Sequence, residues 1–460
     1  MRSRIRLNGM MKIMGMRYSV VIALAGVMMP SAASAGVAAR DSMVADTVPK
    51  FDCVMPLHNV ENDEEPGDTI QSAVHLPGLV QKMADFQQKV VDKMTSSQRQ
   101  PTSNGGFKVI FMPPPLGNLP EYGFGLGVGV CGLFKTSKEP ALYTSKIPLN
   151  VRFGFTDPFS FKVRSSPTLY FLKNSLKVAA EISYQQSNEH YFGIGYSTNK
   201  SMERDRLVTG YQSRRWQVAP EVEWRIDSSD FYMGVVADFS YDTMRNPGTY
   251  LTGCDEYMAD GGTADGLKLM DVGAGVDLSL DTRDVAYSPY DGAWIDLRAV
   301  WYSKSLGSDH NYGKLSLDYR HYKQIGGKRC VLSWGVSSSN VFGNDIPFAR
   351  YATVGDIYTT RGYYGYQYRD KSVLKVHVEY RYMFNFNTVA GRLLLNRFGV
   401  AGWTGVAAMG ENVLKYSAVL PELGAGVRLQ VAPRVNFRFD LGYDTVGKRM
   451  LRYFGISETF

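Results

Sequence analysis

The sequence predicts an all-β fold, a transmembrane antiparallel β-barrel of sixteen strands preceded by a short periplasmic or luminal segment with one helix. Three observations predict it. Apolar residues alternate with polar ones at a period of two through most of the chain, the polar sets are unusually charged, and the sequence given ends on an aromatic residue, Phe460. From Val435 to Asp444, for example, Val435, Phe437, Phe439, Leu441 and Tyr443 alternate with Asn436, Arg438, Asp440, Gly442 and Asp444. Successive side chains of a strand point to opposite faces, so each set lies on its own side.

Taken in order, the chain opens with Arg2, Arg4, Arg6, Lys12 and Arg17 ahead of an apolar run from Val20 to Met29, and Ala33-Ser34-Ala35 follows. A basic start, a short apolar stretch and small residues form a secretory signal peptide over 1–35, cut before Gly36. The apolar run is shorter than the roughly 20 residues a membrane helix needs. Residues 36–105 are polar, with an acidic run from Glu61 to Glu65 and one amphipathic helix near 78–95 carried by Leu79, Met83, Phe86, Val90 and Met94. That helix suits the lumen or the periplasmic rim. Periplasmic domains of mixed strands and helices would need several alternating strands, which this segment lacks.

The barrel is expected over 106–460. Strands are predicted near 122–134, 146–156, 159–171, 174–186, 213–227, 231–243, 270–284, 293–304, 312–325, 329–342, 371–384, 397–408, 422–432, 435–444 and 452–460. A bacterial single-chain barrel has an even number of strands, so one more is expected, between Ser187 and Gln212. The longest loops fall near 244–269 and 343–370. A soluble sandwich would alternate too, but charge recurs on one face of many segments: Glu221, Glu223 and Arg225; Asp296 and Arg298; Ser316, Asp318 and Arg320. A polar lumen accounts for that face and lipid for the other.

Of the formal charge of +7, five positive charges belong to the signal, leaving about +2, which gives no argument for nucleic acid. Cys53, Cys131, Cys254 and Cys330 stand in no metal-ligand spacing and allow three disulfide pairings. None sits in a lipobox. His58, His75, His190, His310, His321 and His377 form no recognisable hydrolase or metal constellation. The expectation is a protein that is not an enzyme, with no cofactor and no metal.

Several motifs together resemble the BamA/TamA bacterial surface-antigen family of outer-membrane insertases and translocases. They are Leu280-Asp281-Thr282-Arg283-Asp284 with Pro289 and Gly292, Thr360-Arg361-Gly362-Tyr363, Val378-Glu379-Tyr380-Arg381, and Leu423-Gly424-Ala425-Gly426-Val427-Arg428. The ending, with Phe454, Ile456 and Phe460, is similar to the family's C-terminal barrel signal. The resemblance covers about 107–460 and implies a barrel in the outer membrane of a Gram-negative cell, here without the family's periplasmic POTRA domains. It also implies that the loop holding Arg361, Gly362 and Tyr363 folds back into the barrel.

Glu379 shares the luminal face with Lys375, His377 and Arg381, so Arg361 could reach its carboxylate and bind it through two hydrogen bonds. One departure stands out: where the family reads Phe, any residue, Asp, any residue, Gly, this chain has Phe398-Gly399-Val400-Ala401-Gly402. Arg361 is then held by Glu379 alone, or the loop docks differently. Gly123, Gly125, Gly127 and Gly129 alternate with apolar residues, so the expected first strand has a bare luminal face. It is expected to pair with the last strand as a weak seam, where the family is thought to accept an incoming strand; relief of crowding is the other reading of these glycines.

The function expected is outer-membrane protein or lipid assembly or translocation through that seam. The partners expected are outer-membrane lipid, client outer-membrane proteins and the barrel assembly machinery. The alternatives are a passive porin-like channel and a surface receptor or structural antigen.

Overall fold

Strand follows strand around a single antiparallel ladder that returns to its start. The computed structural model describes residues 107–456 and 458, less 113–116, 120–122, 136–141, 156–158, 357–358 and 388–394 and positions 228, 287, 328, 433 and 457. The signal peptide, the 36–105 segment with its helix, and Phe460 lie outside the described residues.

The strands are β1 (Lys108–Met112 and Gly117–Leu119), β2 (Gly123–Phe134), β3 (Ser145–Gly154), β4 (Ser160–Ser165 and Thr168–Phe171), β5 (Leu176–His190), β6 (Gly210–Arg225), β7 (Phe231–Arg245) and β8 (Leu267–Asp281). They continue as β9 (Gly292–Tyr302), β10 (Tyr312–Gln324), β11 (Val331–Phe342), β12 (Ser372–Met383), β13 (Phe398–Asn412), β14 (Lys415–Ala432), β15 (Val435–Asp444) and β16 (Arg449–Ile456). The sheet has eighteen hydrogen-bonded segments, and because β1 and β4 are each one strand in two pieces, these make sixteen strands.

The even count holds, but two expectations about where the strands lie are corrected. The additional strand is not in 187–212: that stretch holds the end of β5, a short helix α1 (Tyr196–Ser201) and the start of β6. It is Lys108–Leu119, which Pro113-Pro114-Pro115 disguises, since proline cannot donate to a ladder and demotes a run to an edge strand or a non-strand. The glycine strand is therefore the second and not the first. Gly125 pairs with Gly117 of β1 on one side and Gly154 of β3 on the other. The strand that meets β16 is β1, through the pair Gly117↔Gly455.

Burial is inverted relative to a soluble sandwich. In β15 Asn436, Arg438, Asp440 and Asp444 are buried while Phe437 is exposed; in β14 Glu422, Arg428 and Gln430 are buried while Leu423 and Val427 are exposed. Trp216, Trp224, Val235, Val276 and Trp301 are likewise exposed. Apolar side chains facing outward around a charged interior are what lipid outside and a polar lumen inside require.

The longest connections, 191–209, 246–266 and 343–371, leave one rim, and turns as short as 172–175 and 226–230 leave the other. Long loops mark the extracellular rim. Phe348, in the 343–371 loop, is fully buried there against Tyr191, Tyr211 and Tyr257. Past it the loop turns inward and forms a hairpin, Ala352–Val354 with Tyr368–Asp370. Val354, Tyr363 and Tyr368 of the loop then pack on Val373, Ala407, Met409 and Leu420 of the wall.

Candidate functional site

The loop enters the barrel because its tip carries a charge that the wall can pair and its flanks carry aromatics that the wall can bury. The Arg361 guanidinium is in ion-pair contact with Glu379 of β12 through Nη2, and its Nη1 lies 2.9 Å from Oδ2 of Asp440 on β15. Its Cζ lies 3.6 Å from the centre of the Trp403 ring on β13, a cation–π contact. Trp403 and Ala401 occupy the luminal face of β13, whereas Val400 is exposed to the outside. The second carboxylate therefore comes from two strands further round, on β15.

Gly362 and Tyr363 complete the docking. The Gly362 amide donates to Glu422 of β14 at 2.9 Å, and the Tyr363 hydroxyl donates to the Pro421 carbonyl at 2.5 Å. A Cβ on Gly362 would meet the Tyr443 carbonyl oxygen at 2.7 Å, and one on Gly442 would run into the Arg361 carbonyl. Two glycines facing each other let the loop backbone lie directly on β15.

Around this tip the charges interlock. Arg428 donates to Asp440 at 2.6 Å and to Glu458 at 2.9 Å, and stands 3.6 Å from Glu379. Arg438 donates to Asp440 at 2.7 Å, Asn436 to Glu458 at 2.5 Å, and Arg381 stands 3.8 Å from Glu458. Arginines 361, 381, 428 and 438 are thus matched by Glu379, Glu422, Asp440 and Glu458. All are buried, and a buried charge is tolerated when paired and hydrogen-bonded. Glu458 lies just past β16, so the end of the last strand joins the cluster that holds the loop.

A second anchor holds the loop on another arc of the wall. Arg350 is ion-paired with Asp242 of β7 and lies 2.6 Å from Asp271 of β8; Arg215 of β6 completes the group at 2.6 Å from Asp242. Above it His310 bonds Asp260 at 3.3 Å, and Asp260 accepts from the Phe348 amide at 2.8 Å, tying three loops together. The hydrogen bond that His310 donates to Asp260 raises its pKa above the ordinary 6.5.

The structure brings Arg361, Gly362, Tyr363 and Glu379 together. Gly123, Gly125, Gly127 and Gly129 sit apart from them in β2, one strand in from the seam; Gly129 is buried and pairs in register with Met112 of β1 and Asn150 of β3. Phe454 faces outward and pairs with Phe439, and Ile456 ends β16 opposite Phe437. Sequence reasoning gave Asp440, Glu422, Arg428, Arg438, Glu458 and Arg350 no part in holding the loop. The parity of β15 already put Asp440 and Arg438 on the luminal face, but nothing local joins them to a loop. Arg350 lies in a loop without periodicity.

At the seam, β16 makes eight described pairs with β15, from Phe437↔Ile456 to Asp444↔Arg449, and one with β1. The lower part of β1, Lys108–Met112, pairs with β2 and, among the described residues, has no strand on its other side.

An apolar outer belt, a charged lumen and an arginine-anchored loop define an outer-membrane β-barrel, and the outer membrane is where this protein belongs. A model of the Omp85 superfamily domain matches residues 140–460, so the chain belongs to the Omp85 superfamily, which includes the BamA/TamA-type barrels. The match begins after β1 and β2. BamA from Haemophilus ducreyi lacking POTRA domains 1–3 has a similar fold, at 12% identity and a TM-score of 0.53, covering 77% of this chain and 70% of that one. CdiB from Acinetobacter baumannii aligns at 11% identity and a TM-score of 0.45, covering 75% of this chain and 58% of that one. A search of curated protein sequences finds no match.

Proposed function

We propose that this protein assists the assembly or translocation of outer-membrane proteins or lipid at the seam between β1 and β16, with the Arg361 loop holding the barrel in shape. The observation that carries the reading is the seam itself. One described backbone pair closes the sheet, and the adjoining edge at Lys108–Met112 offers ladder groups to an incoming strand. Strand exchange of this kind needs no bond chemistry, so the reading is non-enzymatic. The partners are client β-barrels, outer-membrane lipid and other assembly components.

A passive channel is the second reading, and one observation favours it. The luminal pair Arg164–Glu181 is 47% and 34% exposed, in contrast to the fully buried cluster around Arg361. Depleting the protein in its host and quantifying every other outer-membrane protein, beside an Arg361→Ala strain, separates the two. A selective fall in other barrels, reproduced by Arg361→Ala, supports assembly. An unchanged membrane proteome with steady conductance of the purified protein in planar bilayers overturns it in favour of the channel.

A further inference from the structure

On the outer face of β5 to β8, register sets three polar side chains beside three cations. Gln186 of β5 faces Arg214 of β6, Arg214 faces Thr243 of β7, and Thr243 faces Lys268 of β8. One step nearer the extracellular rim, Gln212 faces Arg245. Gln186, Gln212, Arg214, Thr243 and Arg245 line a small cleft. Arg214, Arg245 and Lys268 are exposed, and among the described residues none of the three forms an ion pair. Strands lie about 4.8 Å apart, so the cations gather within roughly 10 Å.

The rows beneath set the depth of this cluster in the membrane. Two residues down each strand, Tyr184, Trp216, Tyr241 and Met270 form the next row, and Trp216 is 53% exposed. Ile182, Val218 and Phe239 come below, and the apolar face continues to Trp224, eight residues from Trp216. Eight residues make about 26 Å of strand, or about 20 Å along the membrane normal at a tilt of about 40°, of the same order as the roughly 25 Å apolar band and its two aromatic girdles. The cations therefore stand just above the outer girdle, at head-group level, on a surface whose lower part meets acyl chains.

We propose that this cleft binds the phosphate of a lipid head group in the outer leaflet. The two guanidinium groups fork onto phosphate oxygens, Lys268 adds a point charge, and Gln186, Gln212 and Thr243 offer further donors. The acyl chains run down the Tyr184–Trp216–Tyr241 face. This is independent of the seam and of any role in assembly.

The test uses the full chain purified in detergent, with native mass spectrometry reading retained lipid. The probes are bisphosphorylated lipid A, phosphatidylcholine and inorganic phosphate. Arg214→Gln/Lys268→Gln is compared with Lys173→Gln/Lys323→Gln, which removes two cations at the opposite rim. Heat-modifiable migration confirms that each variant is folded. Each cation at a membrane surface is worth roughly fivefold, so the first pair should weaken lipid A binding on the order of twentyfold while the second leaves it unchanged. Equal weakening by both pairs, equal retention of phosphatidylcholine, or competition by millimolar inorganic phosphate alone would each overturn the proposal.

Discussion

Arg361 and Asp440 are 79 positions apart in sequence and 2.9 Å apart in space, Nη1 to Oδ2, inside the barrel. Asp440 also receives hydrogen bonds from Arg428 and Arg438, so one carboxylate serves three guanidinium groups. A loop tip, β14 and β15 thereby share a single acceptor.

Asp440→Asn should consequently be more damaging than Glu379→Gln, although Glu379 contacts Arg361 just as closely. The first change takes a shared acceptor from Arg361 and Arg428, which keep Glu379 and Glu458, and removes the ion-pair partner of buried Arg438. Unfolding midpoints in urea, followed by heat-modifiable migration, give the order; a reversed order would mean that Glu379 is the principal anchor.

Arg361→Ala removes one partner from a buried charge cluster, a loss of about 3–5 kcal/mol. Arg361→Lys keeps the charge but loses the planar fork, and should recover only part of it. An unchanged unfolding midpoint for Arg361→Ala would show that the loop is held by its aromatics alone.

Gly362→Ala and Gly442→Ala keep every charge yet push the loop off β15. Both should expose the loop to trypsin at Arg361 and Arg369, detected by mass spectrometry, and Arg361→Ala should do so at Arg369 alone. Protection equal to that of the unaltered protein would contradict the close backbone approach.

Glu458→Gln should loosen the end of β16 without displacing the loop tip, because Arg361 does not touch Glu458. Faster amide hydrogen exchange confined to Arg449–Gly455 is the expected result. Faster exchange at Thr360–Tyr363 as well would indicate that the cluster fails as a unit.

His310 makes the extracellular cap dependent on pH. Its pKa is raised in the folded state by the hydrogen bond to Asp260, so its stabilisation is fully present below pH 6.5 and is lost as pH rises through the raised value. The melting temperature of His310→Gln should therefore fall below that of the unaltered protein in mild acid and converge with it at alkaline pH. A difference that grows with pH would refute this sign.

Sequence made the architecture legible because a period of two is a local property, and β9 to β15 were found within a few residues of their bounds apart from a late start to β14. β1 was hidden by three prolines, and its loss shifted the glycine strand into the wrong place at the seam. Arg361, Gly362 and Tyr363 were legible through their motif, and Glu379 through its parity. Asp440 and Glu458 were not, because their partners are chosen by barrel closure, which no window of sequence contains. Val400 looked like a missing acid, but it faces outward, and Asp440 of β15 supplies the second carboxylate.

The loop from Arg350 to Arg361 is fastened at both ends to different arcs of the wall, β7 and β8 at one end and β12 and β15 at the other. Mechanically it is a tie across the bore. A cylinder whose joint shows one rung among the described residues would flatten into an oval under lateral load from lipid, and a cross-tie resists that flattening without adding to the joint. Cutting either fastening would alter the cross-section before it altered the strand pairing.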